Sequence, residues 1–168
     1  MYVPFDDMPK DARIWVYQAD RPFEEQEKVW IISKLVAFCN QWNTHGAEMP
    51  SSFDIRLDQF IILSVDESKL GASGCSIDSS VRIIREIEVK LNLNLLDSGK
   101  VAYMDGENVR VAFLPEIKNH VSAGSLKSTS KMFNPSVNKV SDLDEQWLIE
   151  ANNSWLKKFC SLILPEKK

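Results

Sequence analysis

FDIRLDQFIILSV, residues 53–65, sets two hydrophobic patterns back to back. Phe53 to Leu57 alternates apolar with polar residues, the period of a strand with one wet face, whereas Phe60 to Val65 is an apolar run of strand length and reads as a buried strand. Asp58 lies between them, so the two runs are expected to pair through a tight turn. A hairpin between flanks of helical spacing makes the chain α+β with an antiparallel sheet.

Upstream, ARIWVYQA (12–19) has strand composition; Arg21-Pro22 ends it, and Pro22 suits the first turn of a helix. From Phe23 to Trp42, Ile31, Leu35, Phe38 and Trp42 form one helical row with Ile32, Val36 and Cys39 beside it. Glu24, Glu25 and Glu27 occupy its start, where the helix dipole favours anions. NTHGAEMPSS (43–52) breaks the pattern at Gly46 and Pro50. Downstream, Ile77, Val81, Ile84, Ile87 and Leu91 mark a second amphipathic helix, with Arg82, Arg85, Glu86 and Lys90 on its wet face. Val101–Met104 and Val109–Leu114 make a hairpin about Asp105-Gly106. The order strand, helix, strand, strand, helix, strand predicts a ferredoxin-like split βαββαβ antiparallel sheet, extended by an added hairpin strand and a C-terminal helix.

Pro115 opens a short helix to Ala123-Gly124. Residues 125–141 turn to Ser, Lys, Asn and Thr, and no acid stands between Glu116 and Asp142 while Lys118, Lys127, Lys131 and Lys139 do. This reads as a solvated polar basic connection, or as a basic lid over an anionic ligand. Residues 142–162 read as a helix with Leu148, Ala151, Trp155, Phe159 and Leu162 on one face. The 168 residues are enough for one domain, with a core over about 12–114, the connection at 125–141 and the last helix.

With 44% hydrophobic and 26% charged residues the chain is globular, neither disordered nor membrane-spanning in composition. A formal net charge of -4 argues against a general nucleic-acid binder. MYVPFDDMPKDAR (1–13) has acids where a signal peptide is basic, and the apolar segment 29–39 is short and interrupted by Ser33 and Lys34. Cys39, Cys75 and Cys160 are odd in number and share no ligand spacing, which argues against a disulfide framework or a zinc site. A reduced, cytoplasmic, soluble protein without metal or cofactor is expected.

The chemistry-bearing stretch is KLGASGCSIDSS (69–80), a strand-to-helix turn rich in small polar residues. In a ferredoxin-like sheet the first and third strands are antiparallel neighbours. That would bring Asp66, this turn, the acidic segment 6–11 and WNTHG (42–46) to one edge. Cys75 at a helix start would have its thiolate stabilised by unpaired amides and the dipole; His45 would accept its proton, with Asp66 or Asp78 orienting the ring. Ser73, Gly74, Ser76, Asp78 and Ser79 would cradle an anion, or simply cap the helix through Ser76 or Asp78. It is not a P-loop, because Lys69 precedes both glycines, and SGKV (98–101) lacks the earlier glycine and the hydroxyl residue. His120 in PEIKNHV is expected on a solvated helix face.

SGCSIDSSV (73–81), with WNTHG before it and LLDSGKVAY (95–103) after it, resembles an uncharacterised family of small bacterial proteins whose members are often labelled ABC transporter ATPase. The similarity covers most of the first 115 residues. It implies a bacterial, cytoplasmic protein and carries no catalytic role across.

The expectation is a non-enzymatic binding or protein-interaction module for a small anion or a protein partner, with room for a homodimer. The alternative is an enzyme, or an anion- or nucleotide-binding protein, working at the turn with Cys75 as nucleophile and His45 as base.

Overall fold

The computed structural model describes residues 1–161. The chain divides into two compact units, one of residues 1–96 with 137–144 and one of residues 97–136 with those from Glu145 onward. The sequence predicts a single domain whose one candidate boundary is the polar connection at 125–141, and the crossing at 136–137 falls inside that stretch.

The first unit contains β1 (Arg13–Gln18), α1 (Glu25–Gln41), the two-residue strands β2 (Asn43–Thr44) and β3 (Ala47–Glu48), β4 (Ser51–Arg56), β5 (Phe60–Val65) and α2 (Gly74–Leu91). β1, β5 and β4 form an antiparallel sheet in that order. The central strand β5 is buried at every residue. Its Ile61, Leu63 and Val65 share a core with Ile31, Leu35 and Cys39 of α1 and Ile83, Ile84 and Ile87 of α2. Each such side chain contributes about 1.5–3 kcal/mol by leaving water, so the helices are held by their apolar stripes.

Local chemistry fixes where the helices begin and end. The Glu27 carboxylate accepts the Glu24 amide at 2.8 Å, closing a capping box at the start of α1. Arg21 grips that carboxylate with two bonds of 2.9 Å and donates to the Leu91 carbonyl at 2.9 Å, joining the start of α1 to the end of α2. The guanidinium holds the Glu27 carboxyl below its ordinary range. Both outer strands are covered over part of their length: Val3 N–H donates to Ser51 O at 2.8 Å beside β4, and Ile14 N–H to Asn138 O and Val140 N–H to Ala12 O, both 3.0 Å, beside β1.

The second unit holds β6 (Lys100–Asp105), β7 (Asn108–Phe113), α3 (Ile117–Ser122), β8 (Lys131–Phe133), β9 (Leu148–Glu150) and α5 (Lys157–Ser161); one turn of helix, α4 (Asp142–Glu145), precedes β9. Its sheet runs β7-β6-β8-β9, antiparallel throughout. Val101, Tyr103, Ala112, Ile117, Val121, Met132 and Leu156 belong to its core.

Three expectations differ from this arrangement. The 100–105 strand, which the ferredoxin-like reading puts beside β1, pairs instead with β7 and β8 in its own sheet, and the edge of β1 carries Asn138–Val140. The polar connection at 125–141 is ordered into β8, where Met132 and Phe133 are buried, because two apolar residues suffice for an inserted strand once neighbours supply its ladder. The helix over 142–162 is interrupted: Leu148–Glu150 pairs with β8, and Ser154 donates to Ala151 O at 2.7 Å and accepts the Leu156 amide at 3.1 Å, ending one turn and starting another. Leu162 lies outside the described residues. Among the described residues no helix is long and apolar enough to cross a membrane.

Two positions generate stability predictions. Ser52 and Ser64 stand opposite each other on β4 and β5, and both buried hydroxyls lack a partner among the described residues. Ser64→Ala therefore keeps or raises stability, by up to about 1 kcal/mol; a loss of that size in urea unfolding would show the hydroxyl to be bonded. Leu57, at φ 53, holds a left-handed conformation in the β4–β5 turn. Leu57→Gly should gain on the order of 1 kcal/mol in the same assay.

Candidate functional site

The approach to α2 is built by short polar contacts. The Glu67 carboxylate accepts the Ala72 amide at 2.7 Å and pairs with Arg13 at 3.5 Å, shaping the loop after β5. Ser73 is the N-cap: its hydroxyl oxygen accepts the Ser76 amide at 3.1 Å, and the Ser76 hydroxyl donates to Ser73 O at 2.8 Å. Capping thus falls to Ser73, three residues before the first amide it serves, and not to Ser76 or Asp78. Cys75 sits in the first turn, which contains no acid.

The opposite wall comes from the end of α1. Trp42, buried beside Phe38 and Trp15, donates its indole N–H to Ser76 O at 2.8 Å. Thr44 donates to Gly71 O at 3.0 Å, fastening the small β2–β3 hairpin to the same loop. His45 (φ 50) and Gly46 (φ 78) are the central residues of that hairpin's turn. Both have positive φ, which matches a type I′ turn and projects His45 from its tip. Trp42 is the C-cap of α1.

Between these walls lies a cleft of about 890 Å³, at the upper end of small-molecule sites. It brings together Cys75 and His45, both exposed, with Ser73, Gly74, Ser76 and Ser79. Asp66 and Asp78 are not among its lining residues. Asp66 accepts the Ser68 amide at 2.9 Å in a turn of its own, and Asp78 is exposed on α2. Ser79 donates to Cys75 O at 3.0 Å, so its hydroxyl is engaged within the helix. Among the described residues no hydrogen bond joins the Cys75 thiol to the His45 ring, and no carboxylate orients that ring. Lys34 and Glu86 pair across the rim at 3.2 Å, while Arg82 has no carboxylate partner among the described residues.

The other thiols are of a different kind. Cys39 is buried, and desolvation pushes its thiol up to about 11; burial also raises Cys160. Among the described residues no group of three His, Cys, Asp or Glu side chains is placed to hold a metal ion.

Sequence reading missed a cluster in the second unit. The Tyr103 hydroxyl is 2.6 Å from His120 Nδ1 and 2.9 Å from Ser125 Oγ, and burial raises its phenol above the ordinary value. His120 is half-buried rather than on a solvated face. No spacing signals this, since the three side chains meet only when α3 packs on β6. The only local hint is a tyrosine at a fully buried strand position, whose hydroxyl needs a partner.

Native iodoacetamide should label Cys75 alone, with Cys39 and Cys160 reacting only in denaturant, as peptide mapping would show. Trp42→Phe should cost about 1–2 kcal/mol through the lost bond to Ser76 O, and calorimetry that finds no loss would remove that bond from the wall of the cleft. No protein-family model matches this chain, and no curated protein or solved structure is significantly similar to it, so its function is read from the cleft itself.

Proposed function

We propose that this chain is a non-enzymatic binding module whose first unit receives a partner on its α1–α2 face, in the cleft around Cys75 and His45. The observation that carries the reading is the combination of a formed concave site with unaligned catalytic candidates. Nucleophilic catalysis uses a base that reaches about 2.6–3.2 Å from the nucleophile, often only once substrate is bound, and a third group orienting the base. Among the described residues the thiol and imidazole line one cleft with no hydrogen bond between them, and neither Asp66 nor Asp78 is among its lining residues.

We infer further that the first unit is a ferredoxin-like core lacking its fourth strand. Its support is the order β1-β5-β4, in which the first strand pairs antiparallel with the third, and the short Asn138–Val140 segment on the free edge of β1. Such a core places both helices on one face of the sheet, which makes their outer surface the natural docking side. Fold by itself assigns no activity, so the reading rests on the site.

Two measurements test it. If Cys75 is not activated by His45, the pH profile of its alkylation is the same in the parent chain and in His45→Ala. A profile that moves with His45 would restore the nucleophile reading and call for a substrate screen. Peptides panned from a random display library on the immobilised chain should lose binding once N-ethylmaleimide fills the cleft at Cys75; retrieval of no peptide would sink the protein-binding reading.

A further inference from the structure

We propose that the occupant of the α1–α2 face is an acidic peptide segment with one bulky apolar side chain, seated in a groove between Trp30 of α1 and Val89 of α2. This rests on the binding reading above and names its partner.

The groove measures about 490 Å³ and is lined by Trp30, Arg82, Arg85, Glu86, Val89 and Lys90. Val89 is 78% exposed, an unusual place for a valine on the wet face of an amphipathic helix. Trp30 beside it is half-buried, leaving the indole accessible. An apolar side chain laid between the two would be shielded from water on both sides.

The charges around this apolar floor are one-sided. Arg82, Arg85 and Lys90 line the groove as three cations, and Glu86, the one acid of its lining, is already paired with Lys34 at 3.2 Å. The nearby Glu88 carboxylate accepts the Leu95 and Leu96 amides, each at 2.7 Å, and so serves the end of α2 instead. Among the described residues Arg82 and Arg85 have no carboxylate partner. The Lys34 and Lys90 ammonium groups lie 5.8 Å and 6.0 Å from the Trp30 ring, so even the indole presents a cationic rim. This concentration of positive charge belongs to a chain of formal charge -4. It is therefore local, and its complement is a partner that brings carboxylates.

Arg82 and Glu86 line both the groove and the larger cleft, so the two concavities are continuous along α2. An extended segment fits this better than a compact ion: its apolar side chain fills the Trp30–Val89 end, its carboxylates meet Arg85 and Arg82, and its chain continues toward Cys75.

The test is the sequence and affinity of peptides panned from a random library on the full chain. Val89→Asp and the double change Arg82→Glu, Arg85→Glu alter exposed positions only, and an unchanged thermal midpoint verifies their folding. The expected peptides are acidic with a Leu, Ile, Phe or Trp. By fluorescence anisotropy they should bind the parent about tenfold or more tightly than either variant, and more weakly as salt is added. Peptides that are not acidic, or that bind both variants as well as the parent, overturn the proposal; if N-ethylmaleimide at Cys75 still blocks them, the binding reading survives alone. Retrieval of no peptide sinks both. Self-association abolished by Val89→Asp would make a second copy the occupant, and co-sedimentation with phosphatidylserine vesicles lost in the charge reversal would make it an anionic membrane; either result replaces the acidic peptide.

Discussion

A strand with no wet face must have both ladders filled, and β5 is such a strand. Each residue from Phe60 to Val65 is buried. Exposed backbone groups cannot be left there without a cost of several kcal/mol, so β1 and β4 are obliged to flank it, and they do so residue for residue. The face of β5 bearing Ile61, Leu63 and Val65 then requires an apolar cover, supplied by the stripes of α1 and α2. Helix placement, and through it the cleft, follows from the burial of six residues.

The walls of the cleft are positioned by polar groups that the hydrophobic pattern does not specify. Hydrophobic burial brings α1 and α2 onto the sheet without fixing their ends. Trp42 donating to Ser76 O, Thr44 donating to Gly71 O, and Glu67 accepting the Ala72 amide do that. Each bond contributes modestly to stability, yet removing one partner strands the other in a buried or half-buried place. The result is a concave surface with defined rims, and a His45 held at a turn whose backbone an imidazole-bearing residue adopts at some cost.

The two ends of the face differ in character. Around Cys75 the lining is small and polar, with backbone and hydroxyl groups already engaged in capping. Around Trp30 it is apolar and ringed by cations on long side chains. The two ends share Arg82 and Glu86, so one continuous surface offers both characters.

Much of the first unit is written in local pattern. The apolar row Ile31, Leu35, Cys39, the alternation from Phe53 and the run to Val65 are periodic signals, and periodicity reports directly on burial. The small polar turn at 69–80 is likewise legible as a helix start, whereas no local pattern brings Cys75 and His45 to one cleft; that depends on how the β2–β3 hairpin packs beside α2. What the sequence leaves open is partner choice between distant segments. The 100–105 strand has the composition to join either sheet, and only the positions of β8 and of Asn138–Val140 decide that it pairs with Tyr103 opposite Met132. Leu148 to Leu156 fits a helical stripe equally well until a strand ladder and the Ser154 cap outweigh it. Asp66 and Tyr103 show the same limit for single groups: a hydrogen-bond partner is chosen by three-dimensional proximity, which a periodic pattern does not encode.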